Sequence, residues 1–265
     1  MKKSIILFSF CLSFFAGMAQ DSTSKSSSKS SKKEEKRQRI SAIIRQEEEG
    51  VLSYRKQSLF GLQLRTNGYG LWYELGWRRS PRWTNVALAE LTEIKNGKEE
   101  KLGNSENIFG NSFIYGKRNN FYQFKLGYGQ QYIFGQKGNK NGVAVTGSLT
   151  GGLSLGLLKP YYLEIDSAGG TFIRYDDNPS AFLDPNKIIG GAGIGKGFKE
   201  IKIKPGAFVK AGLRFDFGRY NESIQALEIG ISADYFTDKI EILLMNKTRS
   251  LFYQGHIAFV FGRRK

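Results

Sequence analysis

The stretch Leu251–Gly262 (LFYQGHIAFVFG) constrains the fold of this chain more than any other. Tyr253, Ile257, Phe259 and Phe261 fall on one face at a period of two. Gln254, His256 and Ala258 fall on the other, where Val260 is the one apolar intruder. That alternation specifies a strand with one apolar and one polar face. Placed at the end of an exported chain, it reads as the closing strand of a transmembrane β-barrel, with aromatics toward lipid and polar residues toward the lumen.

Export is read from the N-terminus. Lys2 and Lys3 precede a nearly continuous apolar run from Ile5 to Ala16, and Gly17-Met18-Ala19 places small residues for cleavage before Gln20. Residues 1–19 are therefore expected to be a signal peptide, since the apolar run falls short of the roughly 20 residues of a spanning helix. The single cysteine, Cys11, lies in this leader, and Phe10 occupies the place where a lipoprotein signal needs a small residue. The expected mature chain has no cysteine for a disulfide, a thiolate metal site or a nucleophile.

No later segment holds 18 uninterrupted apolar residues, which excludes a helical membrane protein. The chain is 40% hydrophobic, but in a barrel the lipid-facing residues sit at alternate positions and the average looks soluble. Thirty-two glycines, 13 tyrosines and 20 phenylalanines suit interface girdles and crowded strand packing. The formal charge of +16 would suggest nucleic acid in a cytoplasmic protein. Export removes that partner and leaves anionic lipid, lipopolysaccharide or a periplasmic polyanion.

Residues 20–33 contain a Ser/Lys run that cannot offset the entropy of ordering, and they read as a disordered tether. In residues 34–52, Ile40, Ile43, Ile44 and Val51 sit near helical spacing, which predicts a short amphipathic helix. From residue 57 to 265 the period is two. Phe60, Leu62 and Leu64 share one face, and Asn67-Gly68 signals a two-residue hairpin. Weaker strands are read near residues 83–94 and 109–115, and a further one begins at Tyr161, Leu163 and Ile165. The pattern predicts an all-β, up-and-down antiparallel barrel of about ten strands, with eight or twelve as the neighbouring even counts. In that register the turns at 79–81, 117–120, 159–160 and 219–223 are periplasmic. Arg78, Arg79, Arg82, Lys117, Arg118, Lys159, Arg219 and Arg263-Arg264-Lys265 then form a basic periplasmic rim.

The same register turns Arg65, Glu74, Arg78, Lys125, Lys210, Arg214, Asp216, Glu228, Asp234 and His256 toward the lumen. In a narrow barrel these form an ion-pair network that fills the interior. A small anion-leaning pore is the alternative. Gly152–Gly156 matches the G-x-S-x-G nucleophile pattern but lies mid-strand, without the strained turn which that motif requires. Gly190–Lys196 approaches a phosphate-binding loop, but Gly197 replaces the magnesium-binding hydroxyl. His256, the one histidine, has no placed nucleophile. Asp176-Asp177-Asn178 lacks the spacing of a calcium loop. No catalytic residue, metal site or cofactor is expected.

The tail Ile257-Ala258-Phe259-Val260-Phe261-Gly262-Arg263-Arg264-Lys265 and the strand Leu213-Arg214-Phe215-Asp216-Phe217-Gly218 resemble those of the small outer-membrane β-barrel proteins of Gram-negative bacteria. The tail departs from the commonest pattern because four residues follow Phe261. The resemblance implies an outer-membrane location, contact with outer-membrane lipid, and handling by the barrel-assembly machinery. It is specific for class and not for activity. The function expected is that of a non-enzymatic envelope scaffold working through its periplasmic tail and long outer loops. Residues 20–52 would then engage a periplasmic or envelope partner.

Overall fold

A computed structural model describes residues 34–38, 40–41, 54–103, 112–138, 141–165, 170–193, 195–220 and 222–265. The chain divides into a unit of residues 1–46 and a unit of residues 47–265. In the first, residues 34–38 and 40–41 are helical and exposed. The signal peptide, the tether and the remainder of the expected 34–52 helix lie outside the described residues.

The second unit is a closed antiparallel barrel. Its strands are β1 (Lys56–Arg65), β2 (Gly68–Arg78), β3 (Trp83–Ile94), β4 (Asn119–Gly135), β5 (Ala144–Pro160), β6 (Lys202–Asp216), β7 (Ser223–Ile240) and β8 (Arg249–Arg264). Each pairs with its neighbours in the chain, and β8 closes on β1 with Gln57 opposite Arg264 and Arg65 opposite His256. Closure removes every sheet edge, so alternation along each strand divides an outer face from an interior. Phe60, Leu62, Leu64, Leu126, Leu153, Ile231, Ile257 and Phe259 point outward and are exposed. The residues between them are buried inside.

Eight strands replace the ten expected from the sequence. Two segments counted as barrel strands do other work. Among the described residues, Phe113–Ile114 pairs with Lys101–Leu102 and with no barrel strand, and Leu163–Glu164 pairs with Phe172–Ile173 and Gly190–Gly191. Phe113, Leu163, Ile173, Phe182 and Ile188 bury one another in a separate loop core. Their apolar side chains mimic a lipid-facing strand in the sequence, but they are spent on each other.

The lower count reverses the expected direction of β4 and β5. Short turns join β2–β3, β4–β5 and β6–β7 at the end that holds residue 54 and the C-terminus, here the turn end. Lys117, Arg118 and Lys159 sit at the opposite, loop end. They are not part of one rim with Arg78, Arg79, Arg82, Arg219 and Arg263–Lys265.

The loop end is uneven in height. β1 and β2 are joined by Thr66-Asn67 alone, and Arg65 pairs with Gly68, one residue earlier than the Asn67-Gly68 turn expected from the sequence. A Cβ on Gly68 would stand 1.9 Å from the Glu93 carbonyl oxygen, so only glycine fits this close approach. β8 runs upward past this hairpin from Gly255 to Arg249, leaving a low point in the rim.

Candidate functional site

The alternation of the strands sends four cations and four anions into the middle of the interior, all of them buried. Arg65 donates to Glu90 at 3.3 Å, Thr92 at 3.0 Å, Ser232 at 3.0 Å and Asp234 at 3.4 Å. Lys125 Nζ lies 2.6 Å from Asp234 Oδ1 and 3.4 Å from Glu90 Oε1. Lys210 Nζ lies 3.1 Å from Glu90 Oε2 and 3.6 Å from Glu228 Oε1, and donates to Gln63 at 3.3 Å. Arg214 forks onto Glu74 at 3.1 and 3.2 Å and onto Glu228 at 2.7 and 3.0 Å. His256 Nε2 stands 3.4 Å from Glu228 Oε1.

Amides and aromatics complete the filling. Gln131 donates to Glu74 at 2.6 Å and accepts from Gln57 at 2.8 Å, while Gln254 donates to Asp234. The fully buried Trp72 ring lies 5.2 Å from the Lys210 ammonium and 5.3 Å from the Arg214 guanidinium. Phe208 lies 5.2 Å from the Lys125 ammonium. Cations over ring faces gain from the quadrupole of the ring while keeping their carboxylate partners.

Toward the loop end the polar interior gives way to Ile94, Phe121, Leu158, Phe236, Ile240 and Ile242. Toward the turn end, Asp216 takes Lys137 at 3.2 Å and Arg264 at 2.8 Å. Arg78, placed in the lumen by the sequence, lies half-buried at this mouth, donating to the Ser80 and Pro81 carbonyls and facing the Tyr54 ring. These contacts lie at the mouth, outside the central network.

Sequence reasoning did not single out Glu90, which joins three cations in the network. β3 carries small outward residues, Ala87 and Ala89, and apolar inward ones, Val86 and Leu88, so its alternation is weak. The parity of β2 does signal Trp72, which shares the face of Glu74. Of the closing-strand residues, Tyr253, Ile257, Phe259 and Phe261 all point outward and are exposed.

The remaining motifs resolve locally. Ser154 is buried within β5 between exposed Leu153 and Leu155, and its hydroxyl has no hydrogen-bond partner among the described residues. Gly190–Gly191 is strand-paired. Asp176 is held by Arg118 at 2.7 Å and Asp177 by Arg174 at 3.0 Å, and Asn178 caps the helix α1 (Pro179–Phe182).

At the loop end Arg118 also reaches Glu241 at 2.5 Å, joining three separate segments. Burial opposes its charge, but Glu241 and Asp176 outweigh that and raise its pKa. The Tyr161 hydroxyl accepts the Ile114 N–H at 3.1 Å, and burial raises the pKa of this phenol.

No family model matches the chain, and no curated protein matches it. Among solved structures it is similar to Neisserial surface protein A, at 10% identity and a TM-score of 0.39, covering 79% of this chain and 96% of that one. It is similar to the N-terminal β-barrel domain of Pseudomonas aeruginosa OprF, at 10% identity and a TM-score of 0.37, covering 79% and 99%. It is also similar to Ail, the attachment invasion locus protein of Yersinia pestis, at 12% identity and a TM-score of 0.35, covering 80% and 100%. These solved structures are outer-membrane β-barrel proteins of Gram-negative bacteria.

Proposed function

We propose that this chain is a non-enzymatic, non-conducting outer-membrane barrel that serves as an envelope scaffold through residues 20–52 and its loop end. The membrane reading is supported by its outer face. Outward aromatics gather near the turn end at Trp77, Trp83, Tyr132, Phe134 and Phe261, and near the loop end at Tyr69, Tyr235 and Tyr253. Tyr69 and Trp77 stand about 20 Å apart along the axis of a barrel with strands tilted about 40°. An outer-membrane apolar band is about 25 Å tall between its aromatic girdles.

The observation that carries the non-conducting reading is the filled interior. Eight strands leave a lumen that side chains can fill. Here Trp72, Phe208 and a balanced set of paired charges occupy it, and an apolar cluster lies across its loop end. Equal numbers of cations and anions give no net field to select an anion. The alternative, a small-solute pore, draws on interior polar atoms without a protein partner, Ser154 Oγ, Gln123 Nε2 and Trp72 Nε1 among them, which are suited to bound water.

Residues 20–265, refolded and inserted into a planar bilayer, should be electrically silent. Discrete openings whose ion preference changes on neutralising Lys125, Lys210 or Arg214 would establish the pore instead. Deleting residues 21–52 should remove co-purifying envelope partners, and unchanged partners would dismiss the scaffold role of the tail.

A further inference from the structure

The low point in the rim is a built cavity of about 660 Å³, within the range of small-ligand sites. Its walls come from the Thr66-Asn67 turn, the start of the β3–β4 loop, the β7–β8 loop and the upper part of β8. Lys95, Lys98, Lys247 and Arg249 line it, and no acidic residue does. Elsewhere at the loop end several cations are matched, Lys117 with Glu99, Arg118 with Glu241 and Asp176, Arg174 with Asp177 and Glu200, and Lys204 with Asp238, while exposed lysines such as Lys199, Lys202 and Lys239 stand singly and line no hollow with the others. Among the described residues, none of the four cavity cations has a carboxylate partner. Of the acids nearest in sequence, Glu100 is exposed and does not line the cavity, and three others are engaged. Glu99 takes Lys117 and the Asn96 N–H, Glu241 takes Arg118, and Glu93 takes the Tyr69 hydroxyl at 2.5 Å.

Four cations without carboxylate partners around one hollow repel one another, Lys95 being eased in part by the Tyr69 ring 4.8 Å away, and an anion bound among them relieves that repulsion. Two further features narrow the class of anion. Asn67 lines the wall, and its side-chain oxygen is buried without a hydrogen-bond partner, so turning it toward the hollow would let it accept from a ligand hydroxyl. The lining also offers the apolar groups Ile240, Ile242 and Phe252, suited to the C–H face of a sugar ring. Tyr253 belongs both to the cavity and to the outward face of β8, so the hollow opens sideways above the apolar band.

We infer that this cavity binds a phosphorylated saccharide, with Lys95, Lys98, Lys247 and Arg249 holding the phosphates and Asn67 a sugar hydroxyl. The phosphates belong either to a glycolipid headgroup of the outer leaflet or to a free sugar phosphate. The site stands whether or not the lumen conducts.

The test is calorimetric titration of the refolded chain with glucose 1,6-bisphosphate, with glucose and with inorganic phosphate as controls. Saturable binding of the bisphosphate, weakened at least about tenfold in K95Q/K98Q/K247Q/R249Q because charge-assisted hydrogen bonds are lost, is expected. The exposed-lysine variant K196Q/K199Q should bind as the parent does. Migration of the folded barrel on unheated gels verifies that each variant is folded. In parallel, the parent and the quadruple variant are placed in vesicles with and without lipopolysaccharide, and the retained glycolipid is counted after detergent extraction. Retention by the parent alone, without binding of the soluble sugar, assigns the site to the lipid headgroup. Binding of the soluble sugar without retention assigns it to a free ligand. Equal binding by parent and quadruple variant, equal binding of glucose or phosphate alone, or neither binding nor retention overturns the inference.

Discussion

Arg214 and Glu74 meet across the full width of the lumen. Their strands, β6 and β2, stand four positions apart whichever way the barrel is traversed, and the two terminal guanidinium nitrogens each reach one carboxylate oxygen, at 3.1 and 3.2 Å. Because Arg214 also forks onto Glu228, it ties opposite walls together through one planar group. Truncating it to alanine leaves two buried carboxylates short of a partner. R214A is expected to cost about 3–5 kcal/mol, the usual penalty for breaking a buried pair. R214K should recover only part of this, since an ammonium cannot make two forks. Urea unfolding followed by tryptophan fluorescence measures both. A loss below about 1 kcal/mol, the scale of an exposed pair, would show that the network is hydrated and weak.

Trp72 is the largest side chain in the filled interior, set against Lys210 and Arg214. W72A should open a water-accessible path through an otherwise silent barrel, detectable as small conductance steps in a planar bilayer. If W72A is as silent as the parent, the apolar cluster at the loop end is the sealing element. The double variant W72A/F236A should then conduct.

Gly61 faces that ring. A Cβ placed on it would stand 2.2 Å from Trp72 Cε2. G61V is expected to destabilise the barrel by about 1–3 kcal/mol through overpacking. The same change in a W72A background should cost less, because the obstructing ring is gone. Additive costs in the double variant would mean that the strain lies in the backbone of β1.

Arg118 makes partly exposed pairs with Glu241 and Asp176, so its worth to global stability is small, about 0.2–1 kcal/mol. Its effect should be local. R118A is expected to leave the unfolding midpoint nearly unchanged while speeding tryptic cleavage at Arg174, Lys187, Lys196 or Lys199. Unchanged cleavage would place the holding force in the apolar core around Phe182 and Leu163.

The barrel strands were legible where a long apolar face alternates with polar or glycine residues, as in Leu71-Trp72-Tyr73-Glu74-Leu75-Gly76-Trp77. There a slip of one residue would expose charge to lipid and bury the apolar face. β3 was faint because Ala87 and Ala89 give its outer face little contrast, and this concealed Glu90. The strand count failed for a different reason. Phe113 and Leu163 carry the right residues for a wall, but their neighbours pair with loop segments, a tertiary choice that local pattern does not encode. The four cations of the rim cavity were invisible as a group. They come from the start of one loop and from the end of another and the strand after it, and only the short Thr66-Asn67 turn between β1 and β2 brings the two regions face to face.

The seam between β1 and β8 makes the barrel an all-or-none object. Its first strand waits for its last, so until Arg249 and the residues after it are available the sheet carries two unpaired margins. Such margins invite pairing with other chains, and contacts between distant parts of a sequence are slow to form. A chain released before β8 is made would therefore be a template for aggregation and not a smaller barrel. The cell must hold the whole polypeptide unfolded until the final strand arrives.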